Sequence, residues 1–408
     1  MSLERLNAAL AHDVMVLERE GRAKAPERVI VAYLPGDGAR GPRYRIEGSH
    51  RLFIRMNSNS YLSLSNHPAL LATADRATDD FGVGPGAVRC IDGTFIHHVE
   101  LERRIAAFLD RPAAKIFNSA YTANLGLALT IAGARTFFIG DELNHNSIIR
   151  AMRIAGVPKV HRAIYTHNDM ESLRHGLERV PEGVDRVVVI FDGIFSMRGD
   201  SAPLDEILAR CAPHRERFTN GLVTVVDDSH GIGAYGFTGR GTEEHAKARA
   251  DVVVGTFGKA LGVNGGFVAS SAELVEAIRQ KSDTYIYTNP LSVADCAAAS
   301  AALEVLDSPE GITRLSHLHE RIAQFRAGIA ALGWESISGF HPVVPLLVRD
   351  TKKVRALERH FFEHGVLVSG LTFPIVPQGN ETIRFQVNAA HTEADIAEVL
   401  EVLASFGD

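Results

Sequence analysis

The sequence predicts an α/β fold, with a large domain built on a mostly parallel sheet and a smaller α+β domain at the C-terminus. From about residue 100, helical patterns alternate with short, continuously apolar runs, which are typical of strands covered on both faces. After about residue 290 this alternation gives way to long helical patterns with separate strands. A chain of 408 residues is also long enough for two domains.

Three segments follow from these patterns. We expect an N-terminal helix and segment at 1–56, a large domain at 57–290 and a small C-terminal domain at 291–408. The first helix has apolar residues on one face, which predicts that it docks on the rest of the protein. These residues are Leu3, Leu6, Leu10, Val14 and Leu17. A loop rich in Gly and Pro follows at 34–43.

In the large domain, each predicted strand is followed or preceded by a predicted helix. The strands are AKIFN at 114–118, TFFIG at 136–140, RVVVIFD at 186–192, LVTVVDD at 222–228, DVVVGT at 251–256 and GGFVAS at 265–270. The helices include 99–109, 119–132 and 142–156. In the small domain we expect helices at 292–307, at 314–332 and after His391, and strands at 342–348, 365–369 and 382–388.

Composition and charge exclude several classes of protein. A net charge of -6 and a pI of about 6.3 argue against nucleic acid or an anionic membrane as partner. No apolar run approaches the roughly 20 residues that a membrane span needs. Three widely spaced cysteines indicate neither a disulfide framework nor a metal site, and they fit a reducing, cytoplasmic location. We expect no metal, because His97 and His98 are adjacent rather than spaced as ligands.

Polar and charged residues follow five of the predicted strands. Ligands bind beyond the carboxyl ends of the strands in sheets of this kind, so we expect these residues to form one site. They are Ser119 to Tyr121 after the first strand, Asp141 and Asn144 to Asn146 after the second, Asp192 to Ser196 after the third, Asp227 to Gly231 after the fourth, and Thr256 to Gly262 after the fifth.

The residues at these strand ends suit pyridoxal phosphate. Lys259 lies among small residues in TFGKALG, and lysine forms Schiff bases with aldehydes once its pKa is lowered. Asp227 ends a buried strand, where an acid can keep the ring nitrogen of the cofactor protonated. Backbone N–H groups of Ser119, Ala120 and Tyr121, at a helix N-terminus, could hold the phosphate.

Each of these assignments has a structural alternative. A lysine after a strand is usually a solvated charge, and an aspartate in this position often caps a turn, a role that suits Asp228 better than Asp227. Ser119 could equally be an ordinary helix cap. His145 and His230 lie in loops, where a single histidine is more often structural or solvated than catalytic.

Together, the motifs resemble the α-oxoamine synthases, within the fold-type I pyridoxal-phosphate enzymes. The resemblance runs from about residue 57 to about residue 392, most of the chain. It is carried by SNSYLSLSNHP at 58–68, GAVRCIDGTFIHHVELE at 86–102, DELNHNSII at 141–149, FSMRGD at 195–200, VDDSHG at 226–231, GTFGKALG at 255–262 and IRFQVNAAHT at 383–392. It implies the fold-type I architecture, with a seven-stranded sheet in the large domain.

The resemblance also implies a role for each matching residue. Lys259 corresponds to the Schiff-base lysine and later general acid and base, and Asp227 to the partner of the ring nitrogen. His145 corresponds to the histidine stacked on the ring, and His230 and Ser196 to groups near its 3-oxygen. The phosphate ligands are then Ala120 and Tyr121, with Thr256 nearby, and Thr288 donated by the other subunit of a homodimer with shared active sites. Arg384 would pair with the substrate carboxylate and Asn59 would lie beside the substrate.

The implied reaction joins an amino acid, with glycine favoured, to the acyl group of an acyl-CoA and releases CoA. The motifs DELNH and VDDSH and the tail SGLTFPIVP are similar to those of glycine C-acetyltransferase, which keeps the carboxylate of its substrate. The alternatives are a decarboxylating member like 8-amino-7-oxononanoate synthase or serine palmitoyltransferase. From another class, the alternatives are a pyridoxal-phosphate aminotransferase or lyase, or a non-catalytic protein that binds the cofactor.

Overall fold

The computed structural model describes residues 2–407. Its helices are α1 (Ser2–Arg19), α2 (Pro68–Phe81), α3 (Ile96–Phe108), α4 (Ala120–Ile131), α5 (Asn146–Ile154), α6 (Met170–Glu178), α7 (Leu204–Cys211), α8 (Thr242–Ala246), α9 (Ala272–Lys281), α10 (Asp283–Ile286), α11 (Val293–Leu306), α12 (Pro309–Ala331), α13 (Thr351–Glu363) and α14 (Glu393–Ala404). Its strands are β1 (Ile30–Leu34), β2 (Arg43–Ile46), β3 (Leu52–Arg55), β4 (Ala113–Phe117), β5 (Thr136–Asp141), β6 (Arg162–Tyr165), β7 (Arg186–Asp192), β8 (Leu222–Asp227), β9 (Val252–Thr256), β10 (Gly266–Ser270), β11 (Val343–Leu347), β12 (Val366–Leu367), β13 (Ser369–Leu371) and β14 (Thr382–Gln386).

A seven-stranded sheet forms the centre of the molecule, in the order β4-β10-β9-β8-β7-β5-β6. Every strand except β10 runs parallel to the others, while β10 pairs antiparallel with both β4 and β9. The predicted α/β, fold-type I architecture with a mostly parallel sheet is therefore confirmed. The sequence prediction missed β6, an edge strand that is only partly covered: Ile164 is exposed and only Tyr165 is buried.

Both faces of this sheet are buried, which explains why its strands read as continuous apolar runs. Along β7, Val187 and Val189 belong to one apolar core, while Val188 and Ile190 belong to the core on the opposite face. This alternation follows from the two-residue period of a strand. The carboxylates of Asp192 and Asp227 come only at the last residues of β7 and β8, at the carboxyl ends of the strands.

The N-terminal strands join a second, four-stranded sheet in the order β1-β2-β3-β12. In it, Ile54 of β3 lies opposite Val366 of β12, so residues before 57 pair with a strand from the C-terminal part of the chain. Arg43 also forms an ion pair of 2.8 Å with the fully buried carboxylate of Asp395 in α14. The third sheet, β11-β14-β13, carries Arg384. Our domain boundaries at 56/57 and 290/291 stay predictions.

Helix α1 forms as predicted, but our expectation that it docks on the rest of the chain is wrong for the single subunit. None of its residues is buried, and Leu3 and Val14, on the apolar face, are 66% and 52% exposed. Residues 20–29 separate the helix from β1, and within residues 2–407 its apolar face stays exposed. No helix among residues 2–407 combines the length and the apolar character that crossing a membrane would require.

Candidate active site

The carboxyl ends of β7 and β8 place two aspartates side by side at the centre of the sheet. Asp192 and Asp227 are opposite each other in the strand register, and both are buried. Burial raises the pKa of Asp192 well above its usual range, and the nearby Asp227 raises it further. The backbone N–H of His145 donates to Asp192 Oδ2 at 2.6 Å. Through this hydrogen bond, Asp192 fixes the start of α5 at the centre of the sheet.

Asp227 has the environment of a carboxylate that is held in one orientation. Its Oδ2 accepts a hydrogen bond of 2.6 Å from Asn124 Nδ2, and its Oδ1 accepts bonds from the backbone N–H and the hydroxyl of Ser229. The residue is only 3% exposed, so these bonds, rather than water, hold its side chain in place. Asp228 takes the structural role that the sequence suggested for one of the pair, because its side chain accepts two bonds from Thr242 at the start of α8.

His145 is the cap residue of α5 and is connected to Asp227 through two side chains. The hydroxyl of Ser147 lies 2.8 Å from His145 Nδ1 and accepts a bond of 3.0 Å from Asn124 Nδ2. The backbone N–H of Ser147 also donates to Nδ1, so the ring proton of a neutral His145 resides on Nε2. Burial lowers the pKa of His145, Asp227 raises it and Lys259 lowers it, which places all three groups in one electrostatic cluster.

Lys259 lies in the turn after β9, as predicted. Burial lowers the pKa of its amine to about 8, while the nearby carboxylates of Asp227 and Asp192 act in the opposite direction and Arg384 in the same one. A lysine that loses its proton near neutral pH is suited to nucleophilic attack on an aldehyde. The alternative of a solvated surface lysine is therefore not supported by its surroundings.

A cleft of about 890 Å³ leads from Lys259 to the surface. Asn59 and the turn from Gly262 to Asn264 line it near the lysine, and Tyr33 and Arg40 of the N-terminal segment line it farther out. The N-terminal strands therefore form part of the entrance to the candidate site.

The N-terminus of α4 lies beside the turn that carries Lys259. Ser119 forms a β-bridge with Gly265, and Thr256 donates from its hydroxyl to the carbonyl of the same glycine. Ser119 is the cap residue and accepts from the N–H of Thr122. Ser119 therefore does cap the helix, which was the structural alternative. The backbone N–H groups of Ala120 and Tyr121 in the first turn have no partner within the helix, because the first N–H groups of any helix lack one. N–H groups of this kind at the start of a helix can bind an anion.

Thr288 lies near this same helix end in its own chain. The side chain of Asn118, which precedes the cap residue, donates to the Thr288 hydroxyl at 3.3 Å and to the carbonyl of Asn289 at 2.9 Å. Thr288 is half-buried, while Tyr121 is exposed. The phosphate end of the candidate site is therefore open on the surface of a single subunit.

His230 lies at the other end of the site, in a buried network that the sequence did not predict. Its Nδ1 is 2.7 Å from the hydroxyl of Tyr61, which also contacts Asn59 Oδ1 at 3.2 Å. Gln386 donates to the same oxygen of Asn59 at 2.7 Å. Burial holds the pKa of His230 well below its usual range, so its imidazole is neutral. Its carbonyl accepts a bond of 2.9 Å from His341.

Arg384 extends from β14 toward the loop that follows β7. Its guanidinium donates to the carbonyl of Ser196 at 3.0 Å, and burial lowers its pKa. Among the described residues it has no carboxylate partner, and nothing accepts a bond from its buried Nε. An arginine without a carboxylate partner in the protein is suited to bind the carboxylate of a ligand. Through Ser196, the structure brings this arginine and the FSMRGD motif together.

The described residues that complete the site without having been predicted are Asn124, Ser147, Tyr61, Gln386 and His341. Asn124 lies five residues after the Ser119 cap and reaches Asp227, which is 103 residues away in sequence. Local periodicity carries no signal for such a contact. Tyr61 and Gln386 lie within the motifs 58–68 and 383–392, and these motifs were the only sequence signal for them. Asp192 was noticed as a strand end but received no role.

This arrangement fits pyridoxal phosphate. The helix end at α4 suits a phosphate, the fixed carboxylate of Asp227 suits a protonated ring nitrogen, and Lys259 suits the aldehyde carbon. The three features lie around one region, since Lys259 interacts electrostatically with Asp227 and its turn borders the α4 cap. Arg384 then stands free for a substrate carboxylate.

Comparisons with known proteins agree with this geometry. The family model described as aminotransferase class I and II matches residues 52–403. The 8-amino-7-oxononanoate synthase of Thermoanaerobacter pseudethanolicus is 36% identical over 369 residues, which cover 90% of each chain. The 2-amino-3-ketobutyrate coenzyme A ligase of Escherichia coli is 35% identical over 402 residues, which cover 98% of this chain and 96% of the relative.

A solved structure of serine palmitoyltransferase from S. paucimobilis, with PLP and myriocin bound, superimposes with a TM-score of 0.86 at 27% identity. The superposition covers 97% of this chain and 96% of that one. The enzymes named in these comparisons are all α-oxoamine synthases, and the sequence motifs resemble the same group. The chain therefore belongs to the α-oxoamine synthase family of fold-type I pyridoxal-phosphate enzymes.

Proposed function

We propose that this protein is a pyridoxal-phosphate-dependent acyl-CoA:amino-acid C-acyltransferase. It condenses a small amino acid, with glycine favoured, with an acyl-CoA to give an α-oxoamine and free CoA. The observation that carries the proposal is the grouping of Lys259, Asp227 and a half-buried Arg384, whose Nε has no acceptor among the described residues, at one site. Family membership supports the same chemistry.

The bound cofactor supplies an electron sink that stabilises negative charge at the Cα atom of the amino acid. Asp227 would hold the proton on the ring nitrogen of the bound cofactor, and Asn124 and Ser229 orient its side chain for this role. His145 would stack on the cofactor ring, and its backbone bond to Asp192 and its side-chain bond to Ser147 hold the imidazole in one orientation.

Lys259 acts as the general base and acid. Its Nζ removes the proton from Cα of the amino acid and later returns a proton to the product. A lowered pKa of about 8 keeps a useful fraction of the amine neutral near physiological pH. The neighbouring carboxylates of Asp227 and Asp192 stabilise the ammonium form that results from proton abstraction.

Arg384 binds the carboxylate of the amino acid and so fixes the direction of the Cα–H bond. The carbonyl of Ser196 holds one arm of the guanidinium in place, and the remaining N–H groups are available to the substrate. Asn59, held by Tyr61 and Gln386, faces the cleft from the substrate side. The acyl-CoA enters by this cleft, whose volume of about 890 Å³ accommodates an extended ligand.

A decarboxylating reaction is the second candidate, because the relatives include enzymes named 8-amino-7-oxononanoate synthase at 36% and 37% identity. A panel of acyl-CoAs against glycine, alanine and serine separates the two. CoA release is followed with a thiol reagent, and the mass of the product shows whether CO2 has been lost. We expect CoA release with glycine and a product that keeps the carboxylate. If no pair of amino acid and acyl-CoA released CoA, the acyltransferase proposal would be rejected in favour of an aminotransferase, a lyase or a non-catalytic protein.

We further propose a homodimer with shared active sites, in the cytoplasm. The exposed ring of Tyr121 at the phosphate end supports it, because a second subunit would exclude water there. Thr288 of one subunit then reaches the phosphate of the other. Mixing inactive Lys259→Ala subunits with inactive Thr288 variants tests this: recovery of activity supports sharing, and an active monomer in sedimentation contradicts it.

A further inference from the structure

A second cavity, of about 530 Å³, lies on the far side of His341 from the candidate active site. It is bounded by the segment from Tyr235 to Phe237 and by the end of α8, and on the other side by α12 and Phe340. We call it the α8–α12 cavity. Its volume falls within the usual range for small-molecule sites.

The walls of the α8–α12 cavity are largely apolar. Ile322 of α12 is buried at its base, and Tyr235 is buried beside it. At the rim, Phe237 and Phe340 are 80% and 73% exposed, which is unusual for two phenylalanines that border one cavity. Exposed apolar surface of this kind around a concavity is typical of a binding site.

Basic groups dominate the charged groups of the cavity. Lys247 and Arg326 line it, as do the imidazoles of His245 and His319. Among the described residues neither cation has a carboxylate partner, and the buried Nε of Arg326 has no acceptor. The other N–H groups of Arg326 donate to backbone carbonyls, at 3.3 Å in the case of Val343.

Glu244 is the single carboxylate that lines the cavity, and its side chain is hydrogen-bonded within the chain. It accepts bonds from the backbone N–H and the hydroxyl of Thr238 and from the backbone N–H of Arg240. Among the described residues it forms no ion pair with Lys247 or Arg326, so both cations remain available to a ligand. An apolar cavity with free positive charge matches a ligand that has an apolar chain and one negative group.

We propose that the α8–α12 cavity binds an amphipathic carboxylic acid, with the chain against Ile322 and the rim phenylalanines and the carboxylate toward Lys247 and Arg326. This inference does not depend on the acyltransferase activity. The cavity also contacts the active site: the Tyr235 ring packs 6.2 Å from the His341 ring, and His341 donates to the carbonyl of His230. A ligand bound in the α8–α12 cavity would therefore affect the position of His230 in the holoenzyme.

Calorimetric titration of the holoenzyme with decanoate tests the proposal. Decan-1-ol has the chain without the charge, and acetate has the charge without the chain. We expect saturable binding of decanoate, binding at least tenfold weaker for decanol and none for acetate. Absence of saturable decanoate binding would overturn the proposal.

Two variants test whether decanoate binds in the α8–α12 cavity. Ala323→Trp fills the cavity from an exposed position on α12 and should abolish decanoate binding, while Lys247→Gln should weaken it about tenfold, as expected for loss of one charge-assisted contact. Lys159→Gln, at an exposed lysine before β6, is the matched control and should change nothing. Binding that survives both cavity variants lies elsewhere and refutes the proposal. A change in oligomeric state caused by Ala323→Trp alone would also refute it, since the cavity would then be a protein interface.

Discussion

The side-chain amide of Asn124 donates a hydrogen bond of 2.6 Å to Asp227 Oδ2. The same amide donates to Ser147 at 3.0 Å, so one residue of α4 connects the aspartate at the end of β8 to the group that orients His145. The two functional side chains are thus positioned by a residue that contacts neither solvent nor, in our proposal, the substrate. Several predictions about the site depend on this and related contacts.

Replacement of Asn124 by alanine should weaken cofactor binding. Asp227 would lose a charge-assisted hydrogen bond worth about 1.5–3 kcal/mol, which corresponds to roughly a 10–100-fold increase in the Kd for pyridoxal phosphate. Absorbance titration of the protein freed of cofactor measures this. Thr130→Ala, which removes a buried hydrogen bond from the same helix, is the control. An equal effect of both substitutions would mean that Asn124 acts only on stability.

The attachment of pyridoxal phosphate to Lys259 should depend on pH with a midpoint near the amine's pKa of about 8. Only the neutral amine attacks the aldehyde, so the rate should rise about tenfold per pH unit below this value and level off above it. Stopped-flow absorbance on protein freed of cofactor gives the profile. A rate that continues to rise to pH 10 would show that burial does not lower the pKa, and Lys259→Ala should show no covalent attachment.

Replacement of Arg384 by alanine should affect the amino acid and not the cofactor. Loss of one partner of a buried, hydrogen-bonded charge pair costs about 2–5 kcal/mol, so kcat/KM for glycine should fall by roughly 30-fold or more, mostly through KM. Arg384→Lys should recover part of the loss, since it keeps the charge but not the bidentate geometry. Arg349→Ala, at an exposed pair with Glu335, is the control. An unchanged KM for glycine with Arg384→Ala would exclude the proposed role.

His167 should stabilise the fold in a pH-dependent manner. Burial lowers its pKa, but hydrogen bonds to Asp141 and Asp200 outweigh this and raise it to about 9. Because the folded pKa lies above the unfolded value of about 6.5, the contribution is full below pH 6.5 and is lost as the pH rises through 9.

Guanidinium denaturation of wild type and His167→Gln measures this contribution. The difference in free energy of unfolding should reach up to about 3 kcal/mol at pH 6 and shrink toward pH 9.5. A difference that is independent of pH would indicate that packing against Phe195, rather than charge, is what His167 provides.

Deletion of residues 2–19 should leave the stability of the single subunit unchanged within about 0.5 kcal/mol, because α1 buries no residue against its own chain. Arg43→Ala, which leaves the buried carboxylate of Asp395 without its cation, should by contrast cost about 3–5 kcal/mol. Thermal unfolding at low protein concentration compares the two. A large loss on deletion of α1 would show that the helix packs in solution.

The motifs and the apolar runs determined the family and the parallel sheet, and they predicted Lys259, Asp227, His145 and Arg384 as site residues. This was possible because a strand covered on both faces must be apolar, and the first polar residues after it mark the edge where ligands bind. The turn around Lys259 is likewise encoded within a few residues of small side chains.

Only the tertiary structure decided which side chains orient these groups. Asn124 reaches Asp227 across 103 residues and Tyr61 reaches His230 across 169, and no local pattern records such contacts. It also decided that the strand after Val29 belongs to the same sheet as Val366, and that the apolar face of α1 is not buried by any of the described residues. Local sequence fixes periodicity and turn chemistry, whereas contacts between distant segments depend on how the elements pack together.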